Sequence, residues 1–248
     1  MLYSNSINEM EKGFMDQEKI EILWQDEYLA IINKPAELII HASAISRDRD
    51  TLIRRLRNQF ENPPIPVHRL DRPVSGVIVA AFDSDSAACL SKAFREGEVH
   101  KNYIAIVRGH LKGEGLIDLP LKNERSGEMQ ESRTTYRHLA DIELPLSSRK
   151  YPTSRYSLVM ASPETGRYHQ IRRHLARMGY PIVGDTSHGD SYCNHQFEEN
   201  FGVRGLMLHS HSVCLKHPHR EETVQLESPL RMEMQNICRQ FHWSSSLF

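Results

Sequence analysis

Apolar and polar positions along the chain fall into many short runs, broken by turn residues, with only a few stretches long enough for helices. Ile20 to Trp24 and Tyr28 to Asn33 are apolar runs joined by Gln25, Asp26 and Glu27, which predicts a hairpin ended by Lys34-Pro35. Thr51 to Phe60 reads as a short helix with Leu52, Ile53, Leu56 and Phe60 on its apolar stripe and Arg54, Arg55 and Arg57 on the other side; Asn62-Pro63-Pro64 stops it. Gly76 to Phe82 holds no charge and is rich in Val and Ile, the pattern of a strand covered on both faces. Ser84 or Asp85 then caps a helix that reaches Glu96, with Gly97 at its end.

Further along, Lys101 to Gly109 reads as a strand whose alternation sets Tyr103, Ala105 and Val107 opposite Ile104, Ile106 and Arg108. Lys112 to Ser132 gives a turn, a short strand within Gly115 to Leu121 and an exposed loop; Arg133 to Ala140 and Ser154 to Ala161 give two more strands. Arg167 to Gly179 predicts a helix with Ile171, Leu175 and Met178 inward, Arg172 at the edge of that stripe, and Arg173 and Arg177 in water. Pro181 to Asp185 and Gly205 to Lys216 read as strands with a surface loop between them, and Ser228-Pro229 opens a last helix striped by Leu230, Met234, Ile237 and Phe241. Many strands, few helices and no regular βαβ alternation predict an α+β fold with a mixed, largely antiparallel central sheet flanked by helices.

Composition changes this picture little. The 248 residues carry a net charge of -1, which argues against indiscriminate coating of nucleic acid. The distribution is more telling, because Met1 to Glu27 holds seven acids against two lysines, whereas Arg149 to Arg177 holds seven basic residues against Glu164 alone. The latter is either a solvated face or a local anion-binding one. No run approaches a membrane span, and Met1 to Lys19 is polar and lacks an apolar signal core, so we expect a frayed tail followed by one domain over residues 20–248. Four scattered cysteines without a C-x-x-C pair fit a reduced, cytoplasmic chain.

The chemistry concentrates just before the uncharged run. His68, Arg69, Asp71 and Arg72 fall within five positions, and Pro73 keeps the segment out of a helix interior. Asp71 is either a structural partner of Arg69 or Arg72, or a carboxylate kept ionised at the mouth of a buried strand, where it can serve as nucleophile or base. Tyr103 at a strand start is either a core aromatic or a flat surface for a ring. His209, His211, Cys214, His217 and His219 crowd eleven positions but lack zinc-site spacing, so no metal is expected.

Five ordered segments carry a resemblance: H68-R-L-D-R-P-V-S-G76, K101-N-Y-I-A-I-V-R-G109, G166-R-Y-H-Q-I-R-R-H-L-A176, G184-D-T-S-H-G189 and L206-M-L-H-S-H-S212 resemble the RluA family of RNA pseudouridine synthases, from about Ile20 to Trp243. The resemblance implies isomerisation of a uridine in structured RNA, most closely that of the branch acting on uridine 65 of tRNA, with ribosomal RNA as the alternative substrate. A zinc-binding protein and an inactive RNA-binding module remain as the rival readings. It implies Asp71 as the catalytic carboxylate, Tyr103 as the ring that stacks on the target base and Arg172 as the cation paired with Asp71. His68, Arg69, Arg72, Lys101, Arg167, His169, Gln170 and Arg173 are the expected RNA contacts, with no cofactor, membrane or obligate protein partner. Val74 and Glu37 stand where the family usually has threonine and glycine, and the latter exchange predicts an ordinary backbone angle at Glu37.

Overall fold

A computed structural model describes residues 19–42, 50–148, 151–244 and 246; the expected N-terminal tail, save Lys19, and Arg149 and Lys150 of the basic stretch lie outside them. Residues of alternating burial do not dominate this chain, because its central strands are covered on both faces. In β4 (Ser75–Ala81) every residue is buried. Its Ile78 and Ala80 enter one core with β2 (Leu29–Lys34), while Val77, Val79 and Ala81 enter a second core. The first core is completed by Leu52 and Leu56 of α1 (Leu52–Gln59), and the second by Leu90 of α2 (Ser84–Glu96). A strand sandwiched in this way has no polar face to show, which is why its sequence is a continuous apolar run.

The remaining strands are β1 (Glu21–Gln25), β3 (Ile65–Pro66), β5 (His100–Arg108), β6 (Glu114–Asp118), β7 (Leu121–Lys122), β8 (Met129–Gln130), β9 (Arg133–Leu144), β10 (Ser154–Pro163), β11 (Leu208–Lys216) and β12 (Thr223–Glu227). The main sheet runs β1-β2-β4-β11-β5-β10-β9-β6, with β3 paired to β4 and β12 to β11, and β7 and β8 make a separate ribbon. Every pairing is antiparallel except β4 with β11, where His209 lies opposite Ser75 and Ser210 opposite Gly76. That parallel junction brings the ends of two distant motifs side by side. Gly76 is indispensable to it, since at φ 105 an added Cβ would overlap the Ser210 carbonyl. The α+β fold with a largely antiparallel sheet is as expected.

Several boundaries differ from the pattern-based reading. The helix α3 (Gln170–Arg177) starts three residues later than the apolar stripe suggests, because His169 takes a left-handed conformation (φ 52) and cannot continue a helix toward Arg167. Met178 is exposed rather than inward. Pro181 to Asp185 is no strand: it makes one bridge, Ile182 with Val107, since Pro181 lacks an N–H and Gly184 turns the chain at φ 77. The expected surface loop beyond it contains α4 (Ser191–Phe201), capped by the Asp190 carboxylate at Tyr192 and Cys193 N–H and ended by left-handed Gly202. Its apolar positions are too sparse to advertise a helix. The cap of α2 is Asp83, one residue before Ser84. The final helix α5 (Met232–Gln240) opens after Ser228-Pro229, though Leu230, Met234, Ile237 and Phe241 are all buried as the stripe requires. Among the described residues no helix is long and apolar enough to cross a membrane.

Candidate active site

The segment ahead of β4 is fixed from below before it offers any chemistry. The Val74 N–H donates to the Asp71 carbonyl (3.1 Å), closing a tight turn around Pro73. His68 accepts from the Val79 N–H at Nε2 (3.0 Å) and stacks on Phe94 of α2 at 4.2 Å, so its ring ties the loop to the strand and helix beside it. Lys34, fully buried at the end of β2, donates to the carbonyls of Pro35 (2.8 Å), Leu38 (2.8 Å) and Arg72 (3.1 Å). Burial pushes its ammonium down to about 7. Lys34 therefore staples the Lys34-Pro35 segment to the loop carrying Asp71. Between them Glu37 takes φ 62, contrary to the ordinary angle its side chain suggests; the family's usual glycine would adopt that conformation without strain.

Held this way, Asp71 faces an open cleft of about 1540 Å³ lined also by Tyr103, Lys101, Tyr168, His169, Arg172 and His188. Its carboxylate is 27% exposed, and neither arginine beside it in sequence is its partner. Arg72 turns to Glu37, with Nε 3.3 Å from Oε2, and Arg69 is exposed. The cation at Asp71 comes from α3: Arg172 Nη1 lies 3.3 Å from Oδ2. Arg172 is itself gripped by Asp185, Nε to Oδ2 at 2.7 Å and Nη2 to Oδ1 at 2.8 Å, a two-bond fork inside the protein. Burial works to raise Asp185, but Arg172 and the N–H groups of Ser187 and His188 outweigh it and hold the carboxyl below its usual range.

Tyr103 sits on β5 opposite Ser210 of β11 and is 8% exposed. Burial, with the Asp71 charge nearby, pushes its phenol up to about 12, so the hydroxyl keeps its proton throughout the neutral range. His169 completes the near wall, with Nε2 3.6 Å from Asp71 Oδ2 and Nδ1 2.9 Å from His188 Nε2. Burial lowers both imidazoles below the usual histidine value, which leaves them neutral at pH 7.

All of the expected RNA contacts except Arg72 line the cleft, but they differ in how far the protein itself engages them. Arg69, Lys101 and Arg167 line the cleft, Lys101 with its ammonium 5.7 Å from the Phe94 ring centre and Arg167 donating to the Glu131 carbonyl at 3.0 Å. Gln170 is buried and fully engaged: Oε1 accepts from Thr165 Oγ1 and Arg167 N, and Nε2 donates to Arg133 O and Thr134 Oγ1. Arg173 corrects the solvent-facing expectation. It is 9% exposed, donates to the carbonyls of Lys122 (3.0 Å) and Tyr168 (3.4 Å), and reaches Glu124 at 3.6 Å. The sequence reading missed Asp185, Lys34 and His188 as site residues, although the G184-D-T-S-H-G189 segment marked two of them. Of the histidine-rich stretch, His209 Nδ1 bonds Ser75 Oγ, His211 the Ser228 carbonyl, His217 Asp26 and His219 Ser86, so these rings serve separate neighbours.

A carboxylate, a buried phenol and an arginine from three separate motifs, converging in a cleft edged by cations, define a site for chemistry on a flat, anionic polymer unit. Residues 28–177 match the family described as RNA pseudouridylate synthase. The chain belongs to that family, whose enzymes isomerise uridine to pseudouridine in RNA. It is 39% identical to tRNA pseudouridine synthase C of Vibrio cholerae over 92% of this chain and 98% of that protein. It is 40% identical to tRNA pseudouridine synthase C of Pasteurella multocida, over 90% and 97% respectively. Among solved structures it is similar to human RNA pseudouridylate synthase domain containing 4, with a TM-score of 0.70, 25% identity, and 95% of this chain and 96% of that one covered.

Proposed function

We propose that this chain converts a uridine of tRNA, at position 65, to pseudouridine, with Asp71 as the catalytic carboxylate, Tyr103 as the surface for the target base and Arg172 as the cation that keeps Asp71 charged and aimed. The observation that carries the assignment is the contact between Arg172 Nη1 and Asp71 Oδ2 across the cleft, 3.3 Å between residues 101 positions apart. The two tRNA-modifying relatives support the substrate, and a tRNA substrate accords with a cytoplasmic enzyme.

The reaction breaks the bond between ribose C1′ and uracil N1 and makes one between C1′ and C5. A proton leaves C5 and one arrives at N1, so nothing is oxidised and no water is consumed. Asp71 acts on the ribose side, where an anion beside C1′ stabilises charge that develops as the glycosidic bond breaks. The detached uracil must turn without leaving, and a ring stacked on Tyr103 can rotate in its own plane while its face stays covered. Removing the uridine from its helix costs a few kcal/mol, which stacking offsets in part.

The test is release of tritium from tRNA carrying 5-tritiated uridine, with the modified position mapped afterwards. Wild-type protein is expected to release label with one new pseudouridine at position 65, and Asp71→Asn to release none while still binding tRNA. Label released by Asp71→Asn at a comparable rate overturns the carboxylate assignment, and modification of ribosomal RNA in place of tRNA overturns the substrate.

A further inference from the structure

Tyr168 is 56% exposed, and a single exposed aromatic is ordinary on a protein surface. What sets this one apart is how firmly it is presented. One face of the phenol packs on the His169 imidazole, with ring centres 3.7 Å apart and planes 21° from parallel. His169 is in turn fixed by His188, and the buried Arg173 holds the Tyr168 carbonyl. The left-handed backbone at His169 aims the two consecutive side chains so that the imidazole is covered and the phenol stands over it at the cleft wall. A strained non-glycine position kept in place by so many neighbours is characteristic of a functional surface.

Tyr168 lines the same cleft as Asp71, and Arg167, Lys122 and Arg125 line it too. A flat ring bordered by cations is the combination that binds a nucleotide, the π-face taking the base and the cations the backbone phosphates. Extrusion of a uridine also leaves the neighbouring base without a stacking partner on one side. We infer that Tyr168 is a stacking platform for an unpaired RNA base flanking the target uridine, so that base, phenol and imidazole form a three-ring pile at the cleft wall. This rests on the pseudouridine-synthase reading above. Tyr168 is assigned here to binding, apart from the reacting atoms held by Asp71 and Tyr103.

The experiment compares full-length wild type, Tyr168→Phe, Tyr168→Ala and, as an exposed aromatic outside the cleft, Tyr151→Ala. Affinity for a tRNA transcript is measured at several salt concentrations, and 2-aminopurine is placed singly at positions flanking the target. Tyr168→Ala is expected to weaken binding by about 5- to 100-fold, with Phe and the Tyr151 control near wild type. The slope of affinity against salt should stay unchanged in Tyr168→Ala, because removing the ring leaves every cation on its phosphate. At one flanking position 2-aminopurine emission should be quenched by wild type and Phe, and not by Ala. Wild-type affinity in Tyr168→Ala, an equal loss in Phe and Ala, or quenching that survives in Ala each overturns the platform. Failure of wild type to release label from 5-tritiated tRNA, with the Ala and Phe pattern intact, would instead overturn the activity and leave the stacking contact standing.

Discussion

Arg172 divides one guanidinium between two carboxylates, and the closer of them is Asp185. Its two bonds of 2.7 and 2.8 Å to Asp185 are shorter than the 3.3 Å contact to Asp71. Asp185 is 1% exposed, so its pair with Arg172 is interior structure, whereas Asp71 is 27% exposed on the cleft. The arginine is thus fixed by one acid and keeps a contact to the other. An isolated buried arginine would find several rotamers; one gripped at Nε and Nη2 leaves only Nη1 to point into the cleft.

Removing Asp185 should therefore damage both folding and chemistry. Asp185→Ala leaves Arg172 buried with its principal partner gone, and a loss of ~3–5 kcal/mol in unfolding free energy is expected. Arg172→Lys keeps a charge and loses the fork, so turnover should fall with RNA affinity nearly retained. Urea unfolding and single-turnover rates check the two claims; an Asp185→Ala protein of wild-type stability and rate would show that Arg172 needs no second acid.

Arg173 and Arg69 should respond in opposite ways. Arg173 is spent on two carbonyls inside the protein, and Arg173→Ala should lower stability by ~1–3 kcal/mol while leaving the salt dependence of RNA binding unaltered. Arg69 is exposed on the cleft, and Arg69→Ala should leave stability alone and reduce the salt slope by about one for each phosphate that this arginine neutralises. Melting curves together with affinities at several salt concentrations separate the pair, and the reverse pattern would place Arg173 on the RNA.

Tyr103 should bind through its ring. Tyr103→Phe is expected to hold tRNA about as tightly as wild type, and Tyr103→Ala about 5- to 100-fold less tightly. Because burial pushes the phenol up to about 12, a fall in turnover in Phe at unchanged affinity would show a neutral hydroxyl passing a proton, with no rise in rate toward pH 9. Equal affinity in the two variants would return Tyr103 to a core role.

His209 makes folding sensitive to acid. It is fully buried, its Nε2 has no hydrogen-bond partner among the described residues, and burial pushes it down to about 3. The unfolded chain takes up this proton near pH 6.5 and the folded chain only near 3, so stability falls as pH drops through that window. Between about pH 6.5 and 5 this one group should account for a loss of ~2 kcal/mol. Denaturant midpoints measured at about pH 7.5 and 5 should differ less in His209→Gln than in wild type, and identical differences would mean that His209 is protonated in the folded state.

The sequence by itself determined the elements that rest on local pattern. The hairpin of β1 and β2, the doubly covered β4, the α2 helix with its Gly97 end and the buried stripe of α5 follow from apolar periodicity and turn residues, which act over a few positions. Its ordered motifs also singled out Asp71, Tyr103 and Arg172, each within a contiguous segment, and the fold brings the three into one cleft. Only the tertiary structure decided what those residues touch. Asp185 and Arg172 are 13 positions apart and meet because the chain turns at Gly179 and again at Gly184. Lys34 reaches the Arg72 carbonyl because β2 and β4 are neighbours in the sheet. The left-handed turns at Glu37 and His169 were invisible for the same reason. Neither side chain favours that conformation, and it is the surrounding packing that imposes it.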